Sequence, residues 1–447
     1  MPLFLWGLAF AQAPTTGIQQ AAPVVPKTPD VVAPPPLTLA PPAVVDVGAK
    51  PLSIAEAVAI ALRRQPQMQA AQGNVTIAVG QTQQAAAPLH PQLSANASAG
   101  PQYTFVGYGL QPSAISLGLA ITQLLYDFGR TRDQVRQQEA LQRSAEQNFT
   151  ETAVSVTLQV KQDYYSLLQA KDDVDLESAD VANRKRQLDE ASARVTSGIG
   201  APSDLVQAKT NLAEAMISLV SFRNGALSAQ VALAQDLGID PRTPLAPVAA
   251  TQEQPVADEG NVKALVTAAL SQRPDVHSAR EQVAAAGYGL SAAKKGLLPA
   301  VTVTAGGGGT GVSDPFVSQF GTVTLGVTWT FSDGGSTAGQ IKQQTGAIQV
   351  AKSNLSAVSQ QAITDVSNAS IDLAGALQRL DLAQTESVNA QELVRISEGL
   401  YDGGLGQFLD ITNAQASLVT AQTNLVQAKA DVQRARARLR GAIGATE

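Results

Sequence analysis

Residues 322–331 read TVTLGVTWTF. In an extended chain Thr322, Thr324, Thr328 and Thr330 fall on one side, and Val323, Leu325, Val327, Trp329 and Phe331 on the other. A half-buried sheet of a soluble sandwich and the wall of a membrane barrel both read this way. A barrel requires the apolar set to meet lipid and the hydroxyls to line a wet lumen. The matching stretch upstream alternates Leu117, Leu119, Ile121 and Leu125 against Ser116, Gly118, Ala120 and Thr122. Each stretch is preceded by another short alternating run, 93–99 and 301–305, across Gly-rich connections at 100–113 and 306–319. The expectation is two β-hairpins, about 93–126 and 300–332, with strands of about 9 to 11 residues, the length that crosses a bilayer. Trp329 and Phe331 would form an aromatic girdle at one end of the barrel, and Tyr103, Tyr108 and Phe316 one at the other.

The two hairpins belong to an internal duplication. LRRQPQMQAAQ from Leu62 lies over LSQRPDVHSAR from Leu270, which aligns Pro66 with Pro274. Further on, QVRQQ from Gln134 lies over QIKQQ from Gln340, and Gly198, Gly200 and Asp204 over Gly404, Gly406 and Asp410. Each unit opens with a short helix followed by a second helix that starts at its proline, the position where a first helical turn tolerates proline. The boundaries are a first repeat over 51–237, a linker over 238–260, a second repeat over 261–443 and a tail over 444–447.

After each hairpin comes a long stretch without proline, 129–197 and 335–402. As a helix each would run about 100 Å, far beyond a globular domain. Asp127 and Asp333 are the expected N-caps, and Gly198 and Gly404 the left-handed stops. Return helices are expected over 203–235 and 409–442. The second carries a seven-residue repeat, Ile411, Leu418, Leu425, Val432 and Leu439, with Ala414, Ala421, Ala428, Ala435 and Ala442 three residues on. The long helix of the first unit answers with Val174, Val181, Leu188 and Val195. These are coiled-coil seams, with alanine permitting close approach.

The fold class is therefore mainly helical with a membrane β element, two-fold repeated. Four strands leave two open edges, each unpaired group costing several kcal/mol in lipid. Copies of the chain must close the barrel. Eight strands would be nearly filled by side chains, and twelve is the smallest multiple of four that leaves a useful bore.

Composition excludes much else. The chain has 447 residues, no cysteine and two histidines, which rules out thiolate chemistry and leaves no histidine cluster for a metal. His90 and His277 read as surface residues. A net charge of −6 gives no reason to expect nucleic acid. The run Gly306 to Gly309 lacks the Gly-Lys-Ser/Thr of a phosphate loop. The acidic pair Asp172 and Asp173 reads as a solvated helix face. No enzyme activity and no cofactor is expected. MPLFLWGLAFAQA, residues 1–13, has the apolar run and small-x-small end of a signal peptide, and no lipidated cysteine is expected after it. Residues 14–50 form a Pro-rich linker.

Three stretches resemble the TolC-type outer-membrane efflux proteins (outer membrane factors): RPDVHSAREQVAAAGYGLSAAKKGLLPAVTVTAGG from Arg273, RVTSGIGAPSDLVQAKTNL from Arg194 and LYDGGLGQFLDITNAQASL from Leu400. The resemblance covers residue 51 to about 443. It implies a homotrimer in the outer membrane of a Gram-negative bacterium, in which a 12-stranded barrel continues into a 12-helix periplasmic tunnel. Drugs, metal ions or proteins, including type I secretion cargo, would leave through it, driven by an inner-membrane pump through a periplasmic adaptor (membrane fusion) protein. It implies adaptor docking at the tips Gly198, Gly200, Gly404 and Gly406. It also implies a periplasmic constriction at Asp410, with Asn413 where the family has a second aspartate. A tip latch would join Tyr401 to Asp204, and Gly406 stands where the family places an arginine. The alternatives are a periplasmic coiled-coil adaptor and a soluble coiled-coil scaffold. The second hairpin and the strand alternation argue against the adaptor, and extraction into aqueous buffer without detergent would favour the scaffold.

Overall fold

The computed structural model describes residues 51–106, 109–248, 255, 259–311 and 318–445. The expected signal peptide and Pro-rich linker lie outside them, as do parts of the inter-repeat linker and of the tail. The elements are α1 (Ile54–Arg64), α2 (Pro66–Ala86), β1 (Gln92–Val106), β2 (Gly109–Tyr126), α3 (Arg130–Thr196), α4 (Pro202–Asp236), α5 (Val262–Gln272), α6 (Pro274–Lys294), β3 (Ala300–Gly311), β4 (Ser318–Thr328), α7 (Ser336–Asp402) and α8 (Phe408–Ile443). Among the described residues no helix is long and apolar enough to cross a membrane.

The four strands make one antiparallel sheet in the order β1-β2-β3-β4. Register fixes which residues share a face. One row runs Ser94–Ala120–Gly306–Thr322 and the next Gln92–Thr122–Thr304–Thr324, all small or polar. The rows between them run Ala95–Leu119–Gly307–Gly321 and Leu93–Ile121–Ala305–Val323, all apolar or glycine. Over these rows all four strands share the alternation of 321–324, whereas beyond them Gln123 and Gln319 fall on the apolar face and Leu124 and Phe320 on the polar one. The apolar face is bare in the single chain, with Val323 79% and Leu325 67% exposed. Among the described residues no helix lies across it.

Three expectations about the strands need correction. β1 and β2 have 15 and 18 residues, longer than expected, because pairing continues through the Gly-rich connection. The glycines 306–309 are strand rather than loop. A Cβ at Gly308 would lie 2.3 Å from the Leu117 carbonyl oxygen, so β3 approaches β2 more closely than any side chain permits. Finally, β4 ends at Thr328, so Trp329, Thr330 and Phe331 follow the strand instead of completing it. Trp329 is held there by its indole N–H, which donates to the Leu297 carbonyl at 3.1 Å. The loop-end aromatics Tyr103, Tyr108 and Phe316 lie outside the described side chains.

Sheet passes to helix through the same device in both units. Asp127 Oδ2 accepts from the Thr131 amide at 2.7 Å, and Asp333 Oδ2 from the Thr337 amide at 2.6 Å. The N-cap positions themselves are Gly129 and Gly335, both left-handed, so the aspartates cap from two residues further out. Burial opposes ionisation of Asp127, but the Thr131 hydroxyl and amide and the Gly129 amide hold its carboxyl below the usual range. The residue between is Phe128 in the first unit, at φ 59°, and Gly334 in the second, at φ 64°. Phe128 is the one described non-glycine residue with positive φ, a conformation that costs about 1 to 2 kcal/mol for a side-chain-bearing residue.

α7 and α8 pack along the alanine series read from the sequence, and all five of those alanines are buried. In α3 the buried stripe differs from the expected one. Val174, Val181 and Leu188 are half-buried, whereas Asp173, Glu177, Asp180, Arg184 and Gln187 are buried. Asp173 is therefore no solvated residue, although Asp172 is exposed. The reason is that α3 is covered on two sides. It packs on α4 and also on the second unit, where Arg434 of α8 reaches Ser166 Oγ at 3.2 Å and Gln169 Oε1 at 2.8 Å. Ser166, Asp173, Asp180, Gln187 and Arg194 recur every seven residues on that side.

At the middle of the long helices each unit has an apolar core that includes residues of its short helix. In the first, Leu52 pairs with the inter-repeat segment, donating its amide to the Ala246 carbonyl at 2.9 Å. The fully buried Tyr164 hydroxyl lies 2.7 Å from the Leu52 carbonyl and 2.8 Å from that of Val248. Tyr164→Phe leaves the core shape intact and removes the donor, so urea unfolding should show a loss of about 1 to 3 kcal/mol. An unchanged midpoint would mean the clasp contributes nothing.

Asp236, at the end of α4, is pushed up to about 7 by burial and by the Asp163 carboxyl bonded to it. Folding therefore favours its protonated form, and stability falls as pH rises from the unfolded value of 3.8 towards about 7. Asp236→Asn removes this slope. The variant should melt higher than the parent at about pH 8 and converge with it at about pH 4, and parallel curves would contradict the assignment.

Candidate functional site at the helical tips

The two hairpin tips are near copies. Gly198 (φ 76°) and Gly404 (φ 73°) take the left-handed position that ends α3 and α7. The amides of Ile199 and Gly200 both donate to the Arg194 carbonyl at 3.0 Å, and those of Leu405 and Gly406 to the Leu400 carbonyl at 2.9 and 3.0 Å. Gly200 and Gly406 are required by close approach. A Cβ at Gly200 would meet the Val195 amide nitrogen at 2.9 Å, and one at Gly406 the Tyr401 amide nitrogen at 3.1 Å. Between the glycines each turn pushes one apolar side chain outward, Ile199 at 79% and Leu405 at 84% exposure. Sequence reasoning singled out the glycines and missed these two, although the Gly-x-Gly spacing marks the x position.

Asp204 and Asp410 occupy the third residue of α4 and α8, where a carboxylate meets the positive end of the helix. Asp410 Oδ2 accepts from the Gln407 amide at 3.0 Å. Asp410 and Asn413 are exposed, three residues apart on one face of α8. Asp204 Oδ1 accepts from the Ser203 hydroxyl at 3.3 Å.

Tyr401 and Asp204 are not joined by a hydrogen bond within the chain; Asp204 reaches Tyr401 only through its charge. The contact between the tips is made by Arg194, a residue the sequence reading did not consider. Its guanidinium lies 4.5 Å from the centre of the Tyr401 ring, and its Nη2 donates to Asp402 Oδ1 at 2.8 Å. Beneath them Phe408 packs with Ala191 and Ala208, its ring 5.9 Å from that of Tyr401. Burial pushes the Tyr401 hydroxyl up while Arg194 opposes this, so the phenol stays neutral at physiological pH.

The interface between the hairpins above the tips is polar. A cleft of about 270 Å³ is lined by Gln187, Arg194, Glu398, Tyr401, Asp402 and Gln415, among others. Across it the Asn211 amide reaches the Thr412 hydroxyl at 3.3 Å, and within the second hairpin Gln415 reaches Glu398 at 3.4 Å, both long bonds. Asp173 Oδ1, Gln187 Nε2 and Gln415 Oε1 are buried without a hydrogen-bond partner. Burial pushes the carboxyls of Asp173 and Glu177 up. A buried polar group left without a partner costs about 1 to 3 kcal/mol relative to a satisfied pair.

At the sheet, Thr322, Thr324 and Thr328 stand on the polar face, and Val323, Leu325 and Val327 on the apolar one. Trp329 and Phe331 continue outward beyond it, exposed and stacked with ring centres 4.5 Å apart. Thr330 lies between them, also exposed.

Residues 57–239 and 265–445 each match the family described as "Outer membrane efflux protein". The outer membrane efflux protein BepC of Brucella suis is 25% identical over 312 residues, covering 68% of this chain. The match spans 66% of that relative, just under two thirds of its length. Among solved structures, the outer-membrane channel OprN superposes with a TM-score of 0.75 at 22% identity, covering 88% of this chain and 89% of that one. The outer membrane protein VceC of Vibrio cholerae gives 0.75 at 21% identity, covering 88% and 97%. Both show that the two-faced sheet set on paired long helices is the fold of known outer-membrane proteins. With both repeats matched over more than half its length, the chain belongs to the outer membrane efflux protein family.

Proposed function

We propose that three copies close a twelve-stranded barrel in the outer membrane, continuous with a twelve-helix tunnel. This assembly would be the passive exit duct for cargo driven by an inner-membrane pump through a periplasmic adaptor. One observation carries the reading: a sheet with one apolar and one polar face has both its edges, β1 and β4, open. The helices support it. α4 exposes Val206, Ile217, Val220, Leu227 and Val231, and α7 exposes Leu382, Leu393, Ile396 and Leu400. Within the chain α4 packs on α3 and α7 on α8, so these stripes are left for neighbouring copies. In this reading Thr322, Thr324, Thr328 and Thr330 line the lumen, while Val323, Leu325, Val327, Trp329 and Phe331 meet lipid.

At the far end, Asp410 and Asn413 from three copies ring the constriction. Three carboxylates about 8 Å apart repel by only about 0.5 kcal/mol per pair in water, so the ring favours cations more than it drives helices apart. The adaptor docks at the glycine turns Gly198, Gly200, Gly404 and Gly406, where Ile199 and Leu405 offer apolar knobs. Closure is biased by a latch of Arg194, Tyr401 and Asp402, which Asp204, whose charge acts on the Tyr401 hydroxyl, joins in the assembled trimer. Arg194 supplies from the first hairpin the cation that Gly406 does not supply from the second. A half-exposed ion pair and a cation–π contact contribute about 1 to 2 kcal/mol together, repeated three times.

Planar-bilayer conductance tests this. The reconstituted protein should form pores with a small closed-state current, which Arg194→Ala raises severalfold. An unchanged current would remove Arg194 from the latch, and no pores at all would remove the duct. Tyr401→Phe keeps the ring under Arg194 and should stay nearly closed; if it opens as far as Arg194→Ala, the hydroxyl bond to Asp204 forms in the trimer and dominates.

A further inference from the structure

The internal repeat contains its own control for one residue. At the junction of sheet and helix the backbone requires a left-handed residue, and the second unit places Gly334 there (φ 64°). The first unit places Phe128 in the same conformation (φ 59°), against the steric preference of any residue with a Cβ. A strained aromatic where glycine would serve needs a compensating contact, and within the chain that contact is slight. Phe128 is 42% exposed, with its ring against Tyr126 at 4.8 Å between centres.

Tyr126 locates the pair. It stands opposite Val301, which stands opposite Val327, so it belongs to the apolar face of the sheet, at its last row before the helices. It is 56% exposed. Trp329 and Phe331 follow Val327 at the same level of the second hairpin. Both aromatic pairs thus carry the apolar face one step beyond the strands. In the proposed trimer, joined at β1 and β4, a second copy does not cover Phe128, because β2 is an inner strand.

We propose that Phe128, with Tyr126, is an anchor at the lipid–water interface of the periplasmic leaflet, its left-handed backbone retained so that its ring reaches the headgroup level beside Trp329 and Phe331. The occupant is a phospholipid surface. Rings with an apolar body are favoured at that depth, and the surface on which Phe128 lies is continuous with the lipid-facing sheet. The inference rests on the membrane-barrel reading above, and its test separates the two.

In a background with Trp6→Phe and Trp329→Phe, Phe128→Trp and, separately, Leu325→Trp provide single fluorophores in the full-length trimer. Each is reconstituted into phospholipid vesicles brominated either near the headgroup end or near the methyl end of the acyl chains. Trp at 325 should be quenched strongly by the deep bromines, and Trp at 128 by the shallow bromines only, with emission shifted to the blue of water-exposed tryptophan. Tyr126→Trp supplies the same readout should the Phe128 variant not assemble. Quenching at 325 with water-like, unquenched emission at 128 and 126 would overturn the anchor and leave the barrel standing. Absence of quenching at 325 as well would overturn both.

Discussion

A backbone amide without a partner is expensive in lipid, and a four-stranded sheet has two edges full of them. Much of the chain is organised around that constraint. One face of the sheet is mostly apolar, so lipid is its natural neighbour, yet the outer edges of β1 and β4 are left unpaired. The long helices repeat the condition in water, for α4 and α7 sit at the two sides of the helical layer with apolar stripes uncovered. Open edges above and open stripes below call for the same remedy, more copies of the same chain.

The duplication supplies two similar hairpins, and the differences between them are informative. The second is held by alanines that bring α7 and α8 close together. The first turns an acidic and amide-rich stripe of α3 towards the second, where Arg434 of α8 meets Ser166 and Gln169. In the proposed latch Arg194 joins the two hairpins at their tips, where an exposed ion pair is strong enough to bias a position and weak enough to be overcome.

How much of this was legible in the sequence depended on how local the signal was. The alternation at 322–328, the glycine stops and the alanine series are written in neighbouring residues and reappear in the fold. The glycines 306–309 were misread because glycine usually marks a loop, whereas here it lets two strands approach. The α3 seam was misplaced by one position, since Val174, Val181 and Leu188 are the apolar choice and the buried series beside them is polar; only the packing of α8 on α3 reveals it. Arg194 meets Asp402 from 208 residues away, a separation at which no periodicity helps. The conformation of Phe128 was hidden for the opposite reason, because a single dihedral leaves no pattern.

The most direct test of the central claim is the mass of the protein particle extracted from the membrane in mild detergent, measured by native mass spectrometry. The account predicts three mature chains per particle with no smaller folded species, since neither sheet edge survives alone in a micelle. A stable folded monomer, in detergent or in plain buffer, would contradict it.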